Sequence, residues 1–398
     1  MFSLENFYFI LYYNLLKPIN ALGHYFMPFG SVDPTDLITT ENGFDVPTDA
    51  FHYVGSWGAH SFYFYDQEPL TDITIPTQFV YMTNHSFKYS NVFVNSEKSQ
   101  IKRDICKEYN FIDLYYFFHG FAALSWYSDY KYVGNVDYKF DKAFISLNRL
   151  TTKDRSYRLY VVSKMLEKDI VQYGRVSLNL TDPNQPHWKE ELLDSHCKLS
   201  KHAKVTIYKN LKDVHGSLIA DVENPMGDCS AHAGHNELKL NQSALWHVVT
   251  ETVFYHDKLH LTEKVFKPIV SHRPFLLVAA PGNLAYLKSY GFKTFDRWVD
   301  ESYDNETDND KRMDMVVDEL EKIAKLSPSE LKAMHAEMKE VLDYNFNHFY
   351  GKFREIITDE LLDNFKSVAT QWNNGRFNGK TIDLNLIDFP QVRSLLLN

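Results

Sequence analysis

The chain has 398 residues, 44% hydrophobic and 24% charged, an ordinary globular composition with room for two to three domains at roughly 150 residues each. Aromatic side chains make up 15%, which excludes disorder over most of the length. The net charge of −10 is uneven: residues 1–140 hold 8 basic against 15 acidic side chains, the remainder 34 against 37, so neither part shows the basic surplus of a domain built to grip a polyanion.

Cys106, Cys197 and Cys229 are odd in number and far apart, which implies no disulfide framework. The apolar run Phe7–Leu16 is interrupted by Asn14 and follows no basic segment. It is too short for a membrane span and lacks a signal-peptide layout, so a cytoplasmic location is expected. Four runs rich in Phe, Tyr and Val, Phe62–Tyr65, Phe79–Met82, Val92–Val94 and Leu114–Phe118, predict buried parallel strands. The polar stretch Lys131–Lys142 reads as a hinge.

Beyond it the pattern predicts a strand at Ala143–Leu147, a helix at Arg155–Glu167, and strands at Val205–Tyr208, Leu245–Thr250 and Phe275–Ala279, with helices at Glu263–Ser271 and Leu284–Tyr290. Repeated strand-then-helix order predicts α/β architecture with right-handed crossovers and doubly wound sheets. Asp300–Asp310 carries six acids and no base and reads as a solvated loop. Ser327-Pro328-Ser329-Glu330 is a capping box with proline at the first helical position. Leu331, Met334, Met338, Val341 and Leu342 follow at helical spacing, then Phe353, Ile356, Ile357, Leu361, Phe365, Val368 and Trp372; both stripes read as core. The expected division is 1–140, 141–345, and 346–398 as C-terminal helices strapping back on the first domain.

The stretch 245–295 carries the chemistry. A predicted strand ends near Glu251, and a loop leads to Thr262, a good N-cap for a helix opening with Glu263 and Lys264. Ligands of open α/β sheets sit at the carboxyl ends of strands, where helix N-termini point. Free N–H groups and the Lys264 ammonium suit phosphate oxygens, and the Glu263 carboxylate suits both hydroxyls of a ribose. The same carboxylate is equally a good partner for the helix dipole.

Thr262-Glu263-Lys264, placed after Glu251 and followed by a helix and an apolar strand, resembles the donor-site motif of the fucosyltransferases of the GT-B fold. It is also similar to uncharacterised phage and bacterial glycosyltransferase-like proteins with a Thr-Glu-Lys-x-Phe-Lys-Pro core. Ala143–Arg149, then Arg155 and Arg158, then Tyr173-Gly174-Arg175-Val176, resembles the segment that opens the family's C-terminal domain. The resemblance covers roughly 140–295, with Val-Val-Thr-Glu251-Thr in place of the family's Phe-Glu-Asn-Ser. It implies two Rossmann-like domains facing across a cleft, Glu263 on the ribose, Lys264 on the phosphates, and Arg149, Arg155 or Arg158 on the diphosphate. The implied reaction is metal-independent, probing no cofactor beyond a GDP- or UDP-sugar donor, and moves the sugar with inversion to a hydroxyl of a glycan or small molecule.

Such a transfer needs a base in the first domain. Asp66 and Glu68 follow the Phe62–Tyr65 strand, and His119 follows the Leu114–Phe118 strand with Gly120 beside it; each has chemistry suited to taking the acceptor proton. Trp126 and Tyr127 read as core. Cys229, His232 and His235 lack a further zinc ligand and read as a loop. Two alternatives accompany this reading: a phage-type enzyme glycosylating hydroxymethylated bases in DNA, which the acidic balance disfavours, and a non-catalytic nucleotide- or sugar-binding protein.

Overall fold

The computed structural model describes residues 3–19, 21–25, 60–64, 70, 91–108, 111–133, 139–181, 187–220, 235–255, 257–376 and 381–398. The predicted strand Phe79–Met82, the candidate bases Asp66 and Glu68, and the Cys229 and His232 positions lie outside these. The chain forms two compact units, Met1–Ser125 with Gly351–Asn398, and Trp126–Tyr350. Among the described residues no helix is long and apolar enough to cross a membrane.

The first unit contains four parallel strands, β1 (Ala21–Tyr25), β2 (His60–Phe64), β3 (Asn91–Asn95) and β4 (Phe111–Tyr115), side by side in chain order. Phe62, Val92, Phe93, Val94, Ile112 and Leu114 are fully or almost fully buried. The predicted strand Leu114–Phe118 is shifted: β4 ends at Tyr115, and Phe118 opens a helix, Phe118–Trp126. Seven of that helix's nine residues are buried, so its sequence carries no amphipathic period from which to read a helix start. The helix Lys352–Gln371 belongs to this unit. Phe365 stacks on Phe62 at 5.7 Å, Phe353 meets Phe117 edge-on at 5.9 Å, and Asn364 Nδ2 donates to the Tyr115 carbonyl at 2.8 Å.

The second unit contains β5 (Lys142–Asn148), β6 (Gly174–Leu178), β7 (Ala244–Thr250) and β8 (Phe275–Val278), all parallel, in spatial order β8-β7-β5-β6. All seven residues of β7 are buried, which explains its continuous apolar run. Spatial order reverses between β5 and β7, whose chain neighbours lie on opposite sides. The crevice that such a switch opens lies outside the strands' carboxyl ends.

Two sequence expectations fail here. Val205–Tyr208 is not a strand but part of the helix Lys201–Leu211, capped by Ser200 accepting from the Ala203 N–H at 2.9 Å. Ala203, Thr206, Ile207 and Leu211 are buried at helical spacing, whereas Val205 and Tyr208 are 67% and 55% exposed. A four-residue window of three β-branched residues and a tyrosine is too short to separate the two periods. Asp300–Asp310 is not a solvated loop throughout: Glu301–Asn305 forms a 3₁₀ turn. Buried Asp304 accepts from the Leu284 and Ala285 N–H groups at 2.9 and 3.0 Å, capping the helix Asn283–Ser289 in a negative-end-to-N-terminus arrangement. The Ser327–Glu330 capping box forms with both reciprocal bonds, 3.3 and 2.7 Å, at the start of the helix Pro328–Tyr350.

Candidate functional site

At the switch point the ends of β5 and β7 are tied together. Thr250 Oγ1 donates to Asn148 Oδ1 at 3.0 Å. Arg158, in the first turn of the helix Tyr157–Glu167, is buried and forks onto three carbonyl oxygens: Leu150 at 3.0 Å, Thr250 at 2.9 Å and Glu251 at 3.2 Å. Tyr157 donates its hydroxyl to the Glu251 carbonyl, and burial pushes that phenol up to about 12. These bonds fix the loops leaving both strands. Of the three candidate arginines, Arg158 thus holds backbone, leaving only its buried Nε without a partner. Arg149 is exposed and Arg155 half-buried, on the loop at the carboxyl end of β5.

That loop carries backbone strain. Lys153 has φ 52°, a left-handed conformation that costs a non-glycine residue about 1–3 kcal/mol. Its N–H donates at 2.9 Å to Glu191, a buried carboxylate whose pKa is raised by desolvation.

Glu251 follows β7 with a fully buried side chain. Its carboxylate accepts from the Thr262 N–H at 3.2 Å, from the Thr262 hydroxyl, and from the Thr252 N–H at 3.3 Å. Burial raises its pKa, and the nearby Lys264 ammonium opposes that rise. Glu251 therefore anchors Thr262, which is the observed N-cap of the helix Glu263–Val270. Tyr127, fully buried, reaches the Glu263 carbonyl with its hydroxyl at 3.3 Å.

Lys264 Nζ lies 2.8 Å from Glu263 Oε1, 3.3 Å from Thr262 Oγ1 and 3.4 Å from Thr252 Oγ1. The Lys264 side chain is 30% exposed and Glu263 only 7%, so the ammonium is the more accessible of the pair. A phosphate oxygen arriving there would replace the two long bonds from the ammonium to threonine hydroxyls with a bond in which donor and acceptor are both charged. The cluster thus unites Glu251, Thr262, Glu263 and Lys264. Thr252 and Tyr157 complete it; each adjoins a residue singled out in the sequence, but neither has a chemical signature of its own.

His119 lies in the first turn of the helix Phe118–Trp126, in the other unit, 5% exposed with its ring edge-on to Phe118 at 5.2 Å. Among the described residues no group of three or more His, Cys, Asp or Glu is arranged to hold a metal ion. Compared with protein-family models, with curated proteins and with solved structures, the chain matches none.

Proposed function

We propose that the chain is a GT-B glycosyltransferase whose second unit binds a nucleoside diphosphate sugar at the carboxyl end of its sheet. The observation that carries this reading is the coincidence of the strand-order switch between β5 and β7 with the Thr262-Glu263-Lys264 helix start, anchored by buried Glu251. In this reading the first N–H groups of the helix and the Lys264 ammonium take the phosphates, and Glu263, released from Lys264, accepts from the ribose hydroxyls. Arg149 or Arg155 adds a second cation for the leaving diphosphate. Asp66, Glu68 and His119 are the candidates for the base that takes the proton of an acceptor hydroxyl as it attacks the anomeric carbon.

Calorimetric titration with GDP and UDP tests this. One nucleotide should bind, and Glu263→Ala and Lys264→Ala should each weaken it by about tenfold or more, a loss of about 1.4 kcal/mol. Failure of both nucleotides to bind, or variants that bind like the parent chain, overturns the reading.

One observation favours a polyanionic acceptor, such as DNA with hydroxymethylated bases. The helix Lys201–Leu211 and its C-cap carry Lys201, Lys204, Lys209 and Lys212 with no acid inside the helix, Lys209 and Lys212 lying 3.9 and 4.0 Å from the Glu167 and Asp213 carboxylates. Salt-sensitive binding of a short DNA duplex would support that acceptor.

A further inference from the structure

We propose that a cavity in the first unit, at the β4 edge of its sheet, binds a small anionic saccharide, a sugar carrying a phosphate or a carboxylate. The cavity has a volume of about 440 Å³, within the usual range for small-molecule sites. It lies among β4, the helix Gln100–Glu108 and the helix Lys352–Gln371.

One wall is cationic. Arg103 and Lys107 stand four residues apart on the same helix face. Both are exposed, and among the described residues neither meets a carboxylate. Arg103 uses Nε and Nη2 on Gln100 Oε1, at 3.0 and 2.9 Å, which leaves Nη1 for a ligand. The acid in the lining, Asp113, is already neutralised: buried Lys102 holds its Oδ1 at 2.6 Å, leaving Oδ2 as an acceptor. The cavity therefore carries two positive charges that its own lining does not cancel.

The opposite wall reads hydroxyls. Asn364, Ser367 and Gln371, spaced three and four apart, share a face of the other helix and line the cavity. Asn364 Nδ2 already donates to the Tyr115 carbonyl at 2.8 Å and Gln371 Nε2 to Ser367 Oγ at 3.4 Å, so the two amide oxygens, the second N–H of each amide and the Ser367 hydroxyl hydrogen are what remain for a polyol. Asp113 Oδ2 adds a further acceptor; the lining also includes the edges of Phe111 and Tyr115, both buried, with the Lys98 ammonium 4.2 Å from the Tyr115 ring centroid. A neutral sugar would leave the two cations unanswered; a bare phosphate would leave the amide row unused. An anionic saccharide satisfies both walls.

The test is titration of the full chain with glucose 6-phosphate, glucuronate, glucose and inorganic phosphate. At least one of the two anionic sugars should bind, tenfold or more tightly than glucose or inorganic phosphate, and the stronger of them identifies the charged group. Arg103→Ala and Lys107→Ala should each weaken that binding tenfold or more while GDP and UDP titrations stay unchanged, which separates this site from the one at Lys264. Both side chains are exposed, so thermal melting should match the parent chain. Absence of binding by both anionic sugars at millimolar concentration overturns the proposal. So does equal binding of glucose or inorganic phosphate, or unchanged binding in both variants.

Discussion

The two sheets use the same parts to different effect. In the first, four parallel strands lie in chain order and the described strands contain no reversal; its cavity opens at the sheet edge and is lined largely by exposed polar side chains. In the second, order reverses between β5 and β7, and the residues around that switch are buried and bound to one another. A site made by strand order needs internal scaffolding to hold diverging loops. A site at an edge needs only side chains of suitable spacing on neighbouring helices.

The sharpest test of this contrast is Arg158→Ala against Arg103→Ala. The first removes a buried guanidinium from three carbonyls and should cost about 3–5 kcal/mol. The second is exposed and should stay within about 0.5 kcal/mol. Urea unfolding measures both, and equal costs would break the comparison.

Titration should probe the buried unit next. Burial depresses His247 to about 3 and His272 to about 4. Below the ordinary histidine value of about 6.5 the unfolded chain takes up protons that the native chain refuses. Their contribution to stability is therefore lost as pH falls from about 6.5 toward 4, by a few kcal/mol in total. Glu251, with its raised pKa, has the opposite sign: it favours the native state at low pH, and that contribution is lost as pH rises through its folded value. His247→Gln, which keeps a donor for the Asn241 carbonyl now 2.7 Å from Nε2, should flatten the pH dependence of the urea midpoint; an unchanged slope would count against the buried histidine.

Glycines offer a smaller paired test. A Cβ on Gly174 would lie 2.4 Å from ring carbons of Phe144, whereas on Gly120 it would lie 2.9 Å from the Phe353 ring tip. Gly174→Ala should cost about 1–3 kcal/mol by overpacking, with Gly120→Ala below it in the same thermal-melt series. Ser327→Ala, which removes the exposed cap bond from the Glu330 N–H and the hydroxyl's bond to Glu330 Oε2, should cost about 1 kcal/mol by urea unfolding.

Much of the second unit was legible in the sequence. The strands at 143–147, 245–250 and 275–279 are apolar runs buried on both faces, and Thr262 and Ser327 announce helix starts by local chemistry alone. Arg158 shows where such reading stops: it was one of three arginines at similar spacing, and its partners are carbonyl oxygens, which every residue has. The 201–211 helix was misread because two of its exposed positions, Val205 and Tyr208, are residues that favour strands. The edge cavity joins Arg103 to Gln371, and no local pattern connects positions so far apart. His119 was read from its residue type and neighbours, which do not reveal that its ring is buried.

The first unit is built from both ends of the described chain, with Phe353 and Phe365 packed on Phe117 and Phe62. During synthesis at roughly 5–20 residues per second, Phe62 waits more than ten seconds before Phe365 is translated. The second unit can fold in that interval, while the first still shows bare aromatic surface. The contacts of Phe353 and Phe365 with Phe117 and Phe62 can therefore form only after the whole of the second unit has been translated.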